Sequence, residues 1–239
     1  MRKLVIIPTY NERENIEAMV AKVFSLDGDF HLLIIDDGSP DGTAEIVRRL
    51  QSAHPERLHM VERSGKLGLG TAYIAGFKWA LERNYDAIFE MDCDFSHNPD
   101  DLLRLVAEME QGADVVVGSR YVVGVNVVNW PLMRLLMSYF ASKYVRLITR
   151  MPVNDATAGF VGYRREVLES INLDKVQMVG YGFQIEMKYT AWRLGFKIRE
   201  VSIIFVDRVL GSSKMSSGIF GEAFFGVLKL PLRRIKRNN

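Results

Sequence analysis

The chain has 239 residues, of which 48% are hydrophobic and 25% are charged. This is the composition of an ordinary globular protein, and the length suits one large α/β domain or two small ones. A formal net charge of +2 does not suggest a nucleic-acid-binding protein. The single cysteine, Cys93, excludes an intramolecular disulfide framework and fits a reducing compartment.

No stretch of the sequence reaches the roughly 18 uncharged apolar residues that a membrane span needs. The nearest, residues 132–148, is interrupted by Arg134, Lys143 and Arg146. The apolar run at residues 4–7 is too short for the core of a signal peptide. We therefore expect a cytoplasmic protein that is soluble or peripheral, in the latter case at the cytoplasmic face of a membrane.

The first half of the chain alternates short apolar runs with amphipathic segments. Strands are predicted at residues 4–7, 32–35, 58–61, 87–91 and 115–117, and helices at 14–24, 44–50, 70–82 and 99–109. Pro99 suits the first position of the last of these helices. Continuous apolar strands alternating with helices predict a mostly parallel sheet covered by helices on both faces.

After residue 121 the alternation changes. The sequence predicts a loop at 126–131, one or two helices over 132–149, strands at 160–163 and 197–203, and a helix at 183–194. A Gly/Ser-rich loop at 207–218 precedes a last amphipathic helix, 219–235, with a basic end. Because no low-complexity linker interrupts the chain, we expect one domain, with a nucleotide-binding half (1–120) and an acceptor half (121–239).

Polar clusters follow three of the predicted strands, at residues 8–12, 36–39 and 92–94. In open parallel sheets, ligands bind beyond the carboxyl ends of the strands. One such cluster would be weak evidence, but three at one edge define a candidate site.

The most informative cluster is Asp92-Cys93-Asp94. If the strand continues, residues two apart point the same way, and both carboxylates reach one cation. Oxygen ligands on a metal that also contacts phosphate suit Mg²⁺ or Mn²⁺. The alternative is that these acids belong to a turn before the next helix.

The cluster at residues 36–39 also has two interpretations. Asp36-Asp37-Gly38-Ser39 makes a good turn, but a turn needs only one of two adjacent, mutually repelling carboxylates. The other carboxylate would accept hydrogen bonds from a nucleobase. Tyr10 suits stacking on a base, whereas Glu12 fits either ligand contact or the first turn of a helix. The glycine-rich segment 65–70 is not a phosphate-binding P-loop, because no Lys-Ser/Thr pair follows its last glycine.

Eight segments together are similar to one known family. They are 8–12 (PTYNE), 36–43 (DDGSPDGT), 67–73 (LGLGTAY), 91–97 (MDCDFSH), 118–121 (GSRY), 158–160 (AGF), 182–187 (GFQIEM) and 207–214 (DRVLGSSK). They resemble the dolichyl-phosphate (polyprenyl-phosphate) mannose synthases, which are inverting family 2 glycosyltransferases with the α/β GT-A fold. The resemblance covers nearly the whole chain.

The resemblance implies an activity and its site residues. The activity is transfer of mannose from GDP-mannose to a polyprenyl or dolichyl monophosphate. The catalytic residues would be Asp92, Asp94 and Arg120, with Mg²⁺ or Mn²⁺ held by the two aspartates. The nucleotide sugar would be bound by Pro8, Tyr10, Glu12, Ile35, Asp37, Asp92, Cys93, Asp94, Ser96, Arg120, Arg208 and Lys214. The lipid phosphate would be bound by Arg120, Arg134, Ser138 and Arg208.

The sequence departs from the family pattern in three places. Cys93 replaces the usual alanine, and a small effect is expected because its side chain is free to point away. The loop after Tyr121 lacks the usual paired glycines, and the membrane helices of some relatives are absent. A membrane-anchoring partner protein is therefore one expectation.

Several alternatives stay open from the sequence. Each arginine suits bidentate phosphate binding, but any one of them also fits a solvated surface charge. His97 is either a base or a packing residue. The 207–218 loop is expected to close over bound donor, and the last helix either lies on a membrane surface or packs on the core. Glucose, another lipid or glycan acceptor, and a non-catalytic nucleotide-sugar-binding subunit are the rival functions.

Overall fold

A computed structural model describes residues 1–207 and 218–238 of the chain, without the side chains of residues 181 and 218–223. The strands are β1 Lys3–Thr9, β2 Phe30–Asp36, β3 Leu58–Glu62, β4 Ala87–Glu90, β5 Val115–Ser119, β6 Val127–Val128, β7 Val161–Arg164, β8 Ile198–Ser202 and β9 Phe205–Val206. The helices are α1 Ile16–Phe24, α2 Thr43–Ala53, α3 Leu69–Glu82, α4 Asp101–Glu110, α5 Leu132–Thr149, α6 Arg165–Ser170, α7 Tyr181–Arg193 and α8 Gly218–Lys229.

Seven strands form one sheet in the order β3-β2-β1-β4-β7-β5-β8, and β6 pairs with β9 in a small second sheet. In the large sheet only β7 is antiparallel to its neighbours, β4 and β5. The predicted mostly parallel α/β sheet is therefore confirmed. Because β1, β2, β3 and β4 run in the same direction, their carboxyl ends meet at one edge.

The sheet is buried on both faces. On one face, α1, α2 and α4 pack against alternate residues of the strands, and on the other face α3, α6 and α7 do so. This explains the continuous apolar runs of the strands, since each residue has a helix above or below it. A third cluster joins α5, α7, α8 and the turn after α8 through Val145, Tyr189, Val227 and Leu230, all nearly fully buried.

The structure corrects three predicted boundaries. Helix α4 begins at Asp101, and Pro99 lies in the preceding turn, where Leu102 N–H donates to the Pro99 carbonyl. Helix α8 ends at Lys229 instead of residue 235, because Pro231 follows within a single 3₁₀ turn, Leu230–Leu232. Strand β4 ends at Glu90, before the aspartates.

Helix α6 and the strand pair β6–β9 were not predicted. The two strands have only two residues each, and they are far apart in sequence. No period-2 pattern can appear over so short a run, so their pairing is a tertiary effect. By contrast, the predicted helix over 132–149 forms as one continuous helix, α5.

Gly162, in the middle of β7, provides a test of the packing under β4. A Cβ at this position would lie 2.6 Å from Met109 Cε and 2.6 Å from Phe89 Cε1. We therefore expect Gly162→Ala to lower the free energy of unfolding by about 1–3 kcal/mol, the usual cost of overpacking. Urea denaturation measures this change. The matched control is Gly65→Ala, where no atom lies within 4 Å of the added methyl. Equal stability of the two variants would contradict the packing described.

Candidate active site

The edge where β1, β2, β3 and β4 end carries the predicted polar clusters. Thr9 and Asp36 are register partners at the ends of β1 and β2, and Asp37 N–H donates to the Thr9 carbonyl just beyond them. On the other side of β1, Met91 N–H donates to the Ile6 carbonyl. The backbone pairing therefore continues past the strands and fixes the loops that follow.

Asp36 shapes the turn after β2. Its carboxylate is buried and accepts the Thr9 hydroxyl at 2.9 Å, the Ser39 hydroxyl at 2.6 Å and the Ser39 N–H at 2.9 Å. Gly38 adopts a φ of +69°, a conformation that favours glycine. Asp36 is thus the turn residue of the pair, which leaves Asp37 for another role.

Asp37 forms a bidentate ion pair with Arg63, a residue that the sequence reading missed. Arg63 Nε donates to Asp37 Oδ1 at 2.6 Å, and Nη2 donates to Oδ2 at 2.8 Å. Arg63 lies just beyond β3, beside β2 in the sheet, and its N–H donates to the Asp36 carbonyl. Only the pairing of β2 with β3 brings these two residues together.

The other residues predicted to bind the nucleotide differ in exposure. Pro8 and Tyr10 are partly exposed at the end of β1. Glu12 is buried, and its carboxylate accepts the Asn15 side-chain amide while its N–H donates to the Thr43 hydroxyl. Ile35 exposes no surface, because it packs in the core beneath this edge.

Residues 92–97 form a turn, not an extended strand. Phe95 has a left-handed φ of +59°, and Asp94 Oδ1 accepts the Ser96 N–H at 3.0 Å. The expectation of one continuing strand with parallel carboxylates was therefore wrong in its geometry. The Asp92 side chain is 39% exposed, while Asp94 and Ser96 are buried at the base of the turn.

Cys93 and His97 support this turn from inside. As expected, Cys93 points away from the edge and packs in the core beneath it. His97 is stacked on Phe160, and its Nδ1 accepts the Asp92 N–H at 3.3 Å. Burial lowers the pKa of His97 to about 4, so its ring is a weak base. The structure therefore favours the packing role over the role of a base.

A buried polar cluster lies behind the end of β4. Gln184 donates to the Glu90 carboxylate at 2.7 Å, and Lys188 donates to the Ala158 carbonyl at 2.7 Å. All three side chains are buried. Burial raises the pKa of Glu90 to about 8 and lowers the pKa of Lys188 to about 8. Helix α7 therefore holds the end of β4 through Gln184 and the 155–160 segment through Lys188.

Arg120 is buried at the end of β5, and it is held by Asp155. Its Nε donates to Asp155 Oδ2 at 2.7 Å, its Nη2 donates to Oδ1 at 2.6 Å, and its backbone N–H donates to Oδ2 at 3.0 Å. Burial alone would raise the pKa of Asp155, but the Arg120 guanidinium outweighs burial and holds that pKa below its ordinary value. The solvated-charge interpretation of Arg120 is therefore wrong.

Asp155 is in turn positioned by Glu200 on β8. One Glu200 oxygen accepts the Asp155 N–H at 3.0 Å, and the other accepts the backbone and side-chain N–H groups of Asn154 at 2.8 Å. Sequence reasoning did not single out Asp155 or Glu200. Polar residues, Asn154 and Arg199, precede them in the sequence, so no local pattern marks either acid as a buried partner.

Arg134 and Ser138 lie one turn apart on α5. Both Asp207 oxygens lie 2.9 Å from Arg134 Nη1, and the Arg134 guanidinium lies 4.2 Å from the Trp130 ring centroid. Ser138 accepts the Tyr121 hydroxyl at 2.8 Å. The structure thus places both residues beside the segment that follows Arg120.

Aromatic rings connect the two halves of the site. The Phe205 ring centroid lies 5.4 Å from that of His97 and 5.3 Å from that of Trp130. The Arg120 guanidinium lies 5.7 Å from the same Phe205 ring. In addition, Val206 N–H donates to the Ser96 carbonyl. Strand β9 therefore brings the 92–97 turn, Arg120 and Arg134 into one region.

The carboxylate oxygens of this region suit a cation that is held partly by the protein and partly by a substrate. Within residues 1–207 and 218–238, no group of three or more His, Cys, Asp or Glu side chains could hold a metal. Asp92 and Asp94 supply at most two carboxylates. Mg²⁺ is usually held by one or two carboxylates, with water and substrate phosphates completing its octahedron. The residues present therefore fit such an ion.

Two predicted site residues, Arg208 and Lys214, lie outside the described residues, as does the loop 208–217 that contains them. The closure predicted for this loop stays a prediction. Asp207, the partner of Arg134, is the last described residue before the loop.

Comparisons with known proteins identify the family of this chain. The family described as "Glycosyl transferase family 2" matches residues 4–171. A protein named polyprenol monophosphomannose synthase, from Mycolicibacterium smegmatis, is 48% identical over 97% of this chain and 88% of its own length. A protein named undecaprenyl-phosphate mannosyltransferase, from Micrococcus luteus, is 45% identical over 96% of this chain and 93% of its own length.

Among solved structures, glucosyl-3-phosphoglycerate synthase from Mycobacterium tuberculosis shares the fold. Its complex with UDP has a TM-score of 0.66 at 21% identity, over 97% of this chain and 79% of that one. A complex of the same enzyme with Mn²⁺, UDP and glucosyl-3-phosphoglycerate has a TM-score of 0.65 at 21% identity, over 97% and 78%. The GT-A fold is thereby confirmed, and the chain belongs to glycosyl transferase family 2 and is a glycosyltransferase.

Proposed function

We propose that this glycosyltransferase moves mannose from GDP-mannose to a polyprenyl or dolichyl monophosphate with inversion, giving polyprenyl-phosphate-mannose and GDP. The observation that carries the proposal is the identity of 48% and 45% to two proteins whose names state mannose transfer to, or synthesis on, a polyprenyl phosphate. Both alignments cover nearly the whole of each chain, so the acceptor half is included.

The acceptor half has the features that an anionic lipid requires. Arg120 and Arg134 bring two guanidinium groups to one aromatic region, and arginine suits phosphate recognition. Helix α5, which carries Arg134, exposes a stripe of large apolar side chains: Leu132, Met133, Leu136, Met137, Phe140 and Leu147. A phosphate at Arg134 would therefore have its hydrocarbon chain beside an apolar surface.

The reaction would be a single in-line displacement. A phosphate monoester is already ionised near neutral pH, since its second pKa is about 6, so an acceptor oxygen needs no base. That oxygen forms the bond to the sugar C1 as the bond from C1 to the diphosphate oxygen breaks. Arg120 and Arg134 would hold the acceptor for attack, and positioning would supply most of the rate enhancement.

On the donor side, Asp37 and Tyr10 would hold the base. Asp92 and Asp94 would hold Mg²⁺ or Mn²⁺, with Ser96 at the base of the same turn. When bound, the cation offsets the negative charge that develops on the leaving diphosphate. His97 keeps the turn in place through its contact with the Asp92 N–H.

We also infer that the protein is peripheral at the cytoplasmic face of a membrane. In the described part of the chain, no helix combines the length and apolar character that a membrane crossing requires. Helix α8 packs beside α5, with the Phe224 and Tyr144 rings stacked at 4.9 Å. Val227 and Leu230 bury the inner face of this segment, while Phe225 and Leu232 are 63% and 86% exposed. The last helix would therefore serve both core and membrane, with or without a membrane-anchoring partner protein.

One experiment distinguishes the proposed function from its rivals. Purified protein is incubated with GDP-mannose, GDP-glucose or UDP-glucose and a short polyprenyl phosphate, with and without Mg²⁺ or Mn²⁺. The proposal expects a mannosyl lipid only from GDP-mannose and only with metal. Donor binding without any product would support a non-catalytic nucleotide-sugar-binding subunit, and glucosyl transfer would support the other-sugar alternative.

The first prediction from this function concerns the carboxylates of the 92–97 turn. Asp94→Ala is expected to lower the rate of mannose transfer by about 10²-fold or more, because a preorganised group that stabilises transition-state charge is lost. Asp101→Ala, at the start of α4, serves as the control for removing a nearby carboxylate. Full activity of the Asp94 variant, or of wild type in excess chelator, would refute the metal role.

The second prediction concerns Asp155. Asp155→Ala leaves the buried Arg120 without its ion-pair partner, so unfolding free energy should fall by about 3–5 kcal/mol. The double variant Asp155→Leu with Arg120→Met removes both charges and should recover most of that stability without recovering transfer. Urea denaturation and transfer assays measure the two effects. Equal stability of the single and double variants would contradict the buried pair.

The third prediction concerns the membrane surface. Phe140→Ser with Phe225→Ser should weaken binding to anionic vesicles at least tenfold, because burying each phenylalanine contributes about 1.5–3 kcal/mol. The control is Leu103→Ser, which removes an exposed apolar side chain from α4, outside this surface. Vesicle flotation measures the binding. Unchanged flotation of the double variant would exclude this surface.

A further inference from the structure

Helix α7 carries a fully buried lysine that the proposed reaction does not use. Lys188 exposes none of its surface, and its Nζ donates to the Ala158 carbonyl at 2.7 Å. Lysine is almost never buried to this extent unless it is paired. Replacing buried charged groups by apolar ones of similar volume is often neutral or stabilising. Stability alone therefore gives little reason for a lysine at this position.

Two buried acids oppose the burial of this charge. Burial lowers the pKa of Lys188 to about 8, although the Glu90 and Asp155 carboxylates act in the opposite direction. Glu90 ends β4, two residues before Asp92, whereas Asp155 holds the Arg120 guanidinium. The ammonium of Lys188 therefore lies within electrostatic reach of one acid from each part of the site.

One end of the segment 155–160 holds Arg120. In addition to its bonds with Asp155, Arg120 Nη2 donates to the Thr157 hydroxyl at 2.9 Å. The turn is closed by the Ala158 N–H, which donates to the Asp155 carbonyl at 3.3 Å. The carbonyl of the same Ala158 accepts the ammonium of Lys188. The lysine therefore fixes the turn that presents both partners of Arg120.

The other end of the segment 155–160 contacts the 92–97 turn. The Phe160 ring is stacked on the His97 ring at a centroid distance of 5.0 Å, and His97 Nδ1 accepts the Asp92 N–H at 3.3 Å. The segment therefore extends from the arginine to the proposed metal-binding turn, and the lysine contacts it near its middle.

One face of α7 reaches both β4 and this segment. Gln184 and Lys188 are four residues apart in the helix, so they lie on the same side of it. Gln184 donates to the Glu90 carboxylate at 2.7 Å, and Lys188 donates to the Ala158 carbonyl at the same distance. The helix thus fixes the end of β4 and the segment 155–160 relative to each other.

We propose that Lys188 is a positioning residue for the transfer reaction, because by holding the segment 155–160 against α7 it sets where Arg120 lies relative to Asp92 and Asp94. The inference rests on the proposed function, which assigns these three residues to the acceptor and the metal. Lys188 is buried and touches no substrate, so it acts through Arg120. A misplacement of about 1 Å far from the chemistry can lower a rate about 10²-fold.

The test compares Lys188→Met with wild type, since methionine has a similar length but neither a charge nor a donor. Transfer from GDP-mannose to a short polyprenyl phosphate gives kcat, and calorimetry with Mg²⁺ gives the dissociation constant of GDP. We expect kcat to fall at least tenfold because Arg120 is misplaced. The dissociation constant of GDP should change less than about twofold, because Gln184 still holds β4.

The matched control is Arg193→Met, which removes a cation from the same helix. Arg193 is exposed, and it donates to the Tyr189 hydroxyl, on its own helix, at 2.8 Å. This variant should leave both kcat and the dissociation constant of GDP unchanged. Thermal unfolding midpoints show whether each variant is folded, because a merely structural lysine would lower the midpoint without changing the kcat of the folded enzyme.

A double-mutant cycle tests the route through Arg120. Arg120→Lys keeps a positive charge but removes the guanidinium fork that Asp155 holds. If Lys188 acts by placing that fork, adding Lys188→Met to Arg120→Lys should lower kcat less than about threefold. An equal loss in both backgrounds would overturn the proposed route.

Other results would also overturn the proposal. An unchanged kcat in Lys188→Met would exclude the positioning role, and a loss of GDP affinity as large as the loss of kcat would mean that the donor site itself is distorted. Lys188→Leu is the second apolar variant, and failure of both to fold would make the lysine a structural requirement instead. A wild type that transfers no sugar would overturn the proposed function and this inference together, whereas an active wild type with an equally active Lys188→Met overturns the inference alone.

Discussion

The parallel pairing of β1 with β2 and β4 is the constraint on which the rest of the structure depends. Because these strands share one direction, their buried residues need helices on both faces, and their polar ends meet at one edge. The core and the site are thus two results of one arrangement. Strand β7 is the exception, since it runs antiparallel between β4 and β5 and joins β5 and β8 to the rest of the sheet.

Around Arg120, ion pairs and aromatic contacts hold the residues in place instead of a strand edge. Arg120 depends on Asp155, Asp155 depends on Glu200, and the rings of Phe205 and Trp130 join this group to the 92–97 turn. Each of these links spans many residues in sequence. Contacts between sequence neighbours therefore do little to fix the geometry of this group, which follows from the packing of β8 and β9.

This difference explains what could be predicted from sequence. The strands of the first half were found because apolar runs are local patterns, and Asp36 and Asp37 were found because they follow such a run. Arg63, Asp155 and Glu200 were missed, because only sheet pairing or a distant turn makes them partners. The extended geometry predicted for Asp92 and Asp94 was wrong, because β4 ends at Glu90 and the chain enters a turn whose left-handed residue, Phe95, is not a glycine. The family, by contrast, was recognisable from short motifs across the whole chain.

The ion pair between Arg134 and Asp207 has a consequence for how an acceptor would arrive. Arg134 is only partly exposed, and Asp207 already contacts it with both oxygens at 2.9 Å. An incoming phosphate would replace the Asp207 carboxylate beside Arg134. The guanidinium is therefore paired with an anion both before and after binding. The displaced carboxylate belongs to Asp207, which directly follows β9. An anion at Arg134 would therefore compete with the link between α5 and the end of β9.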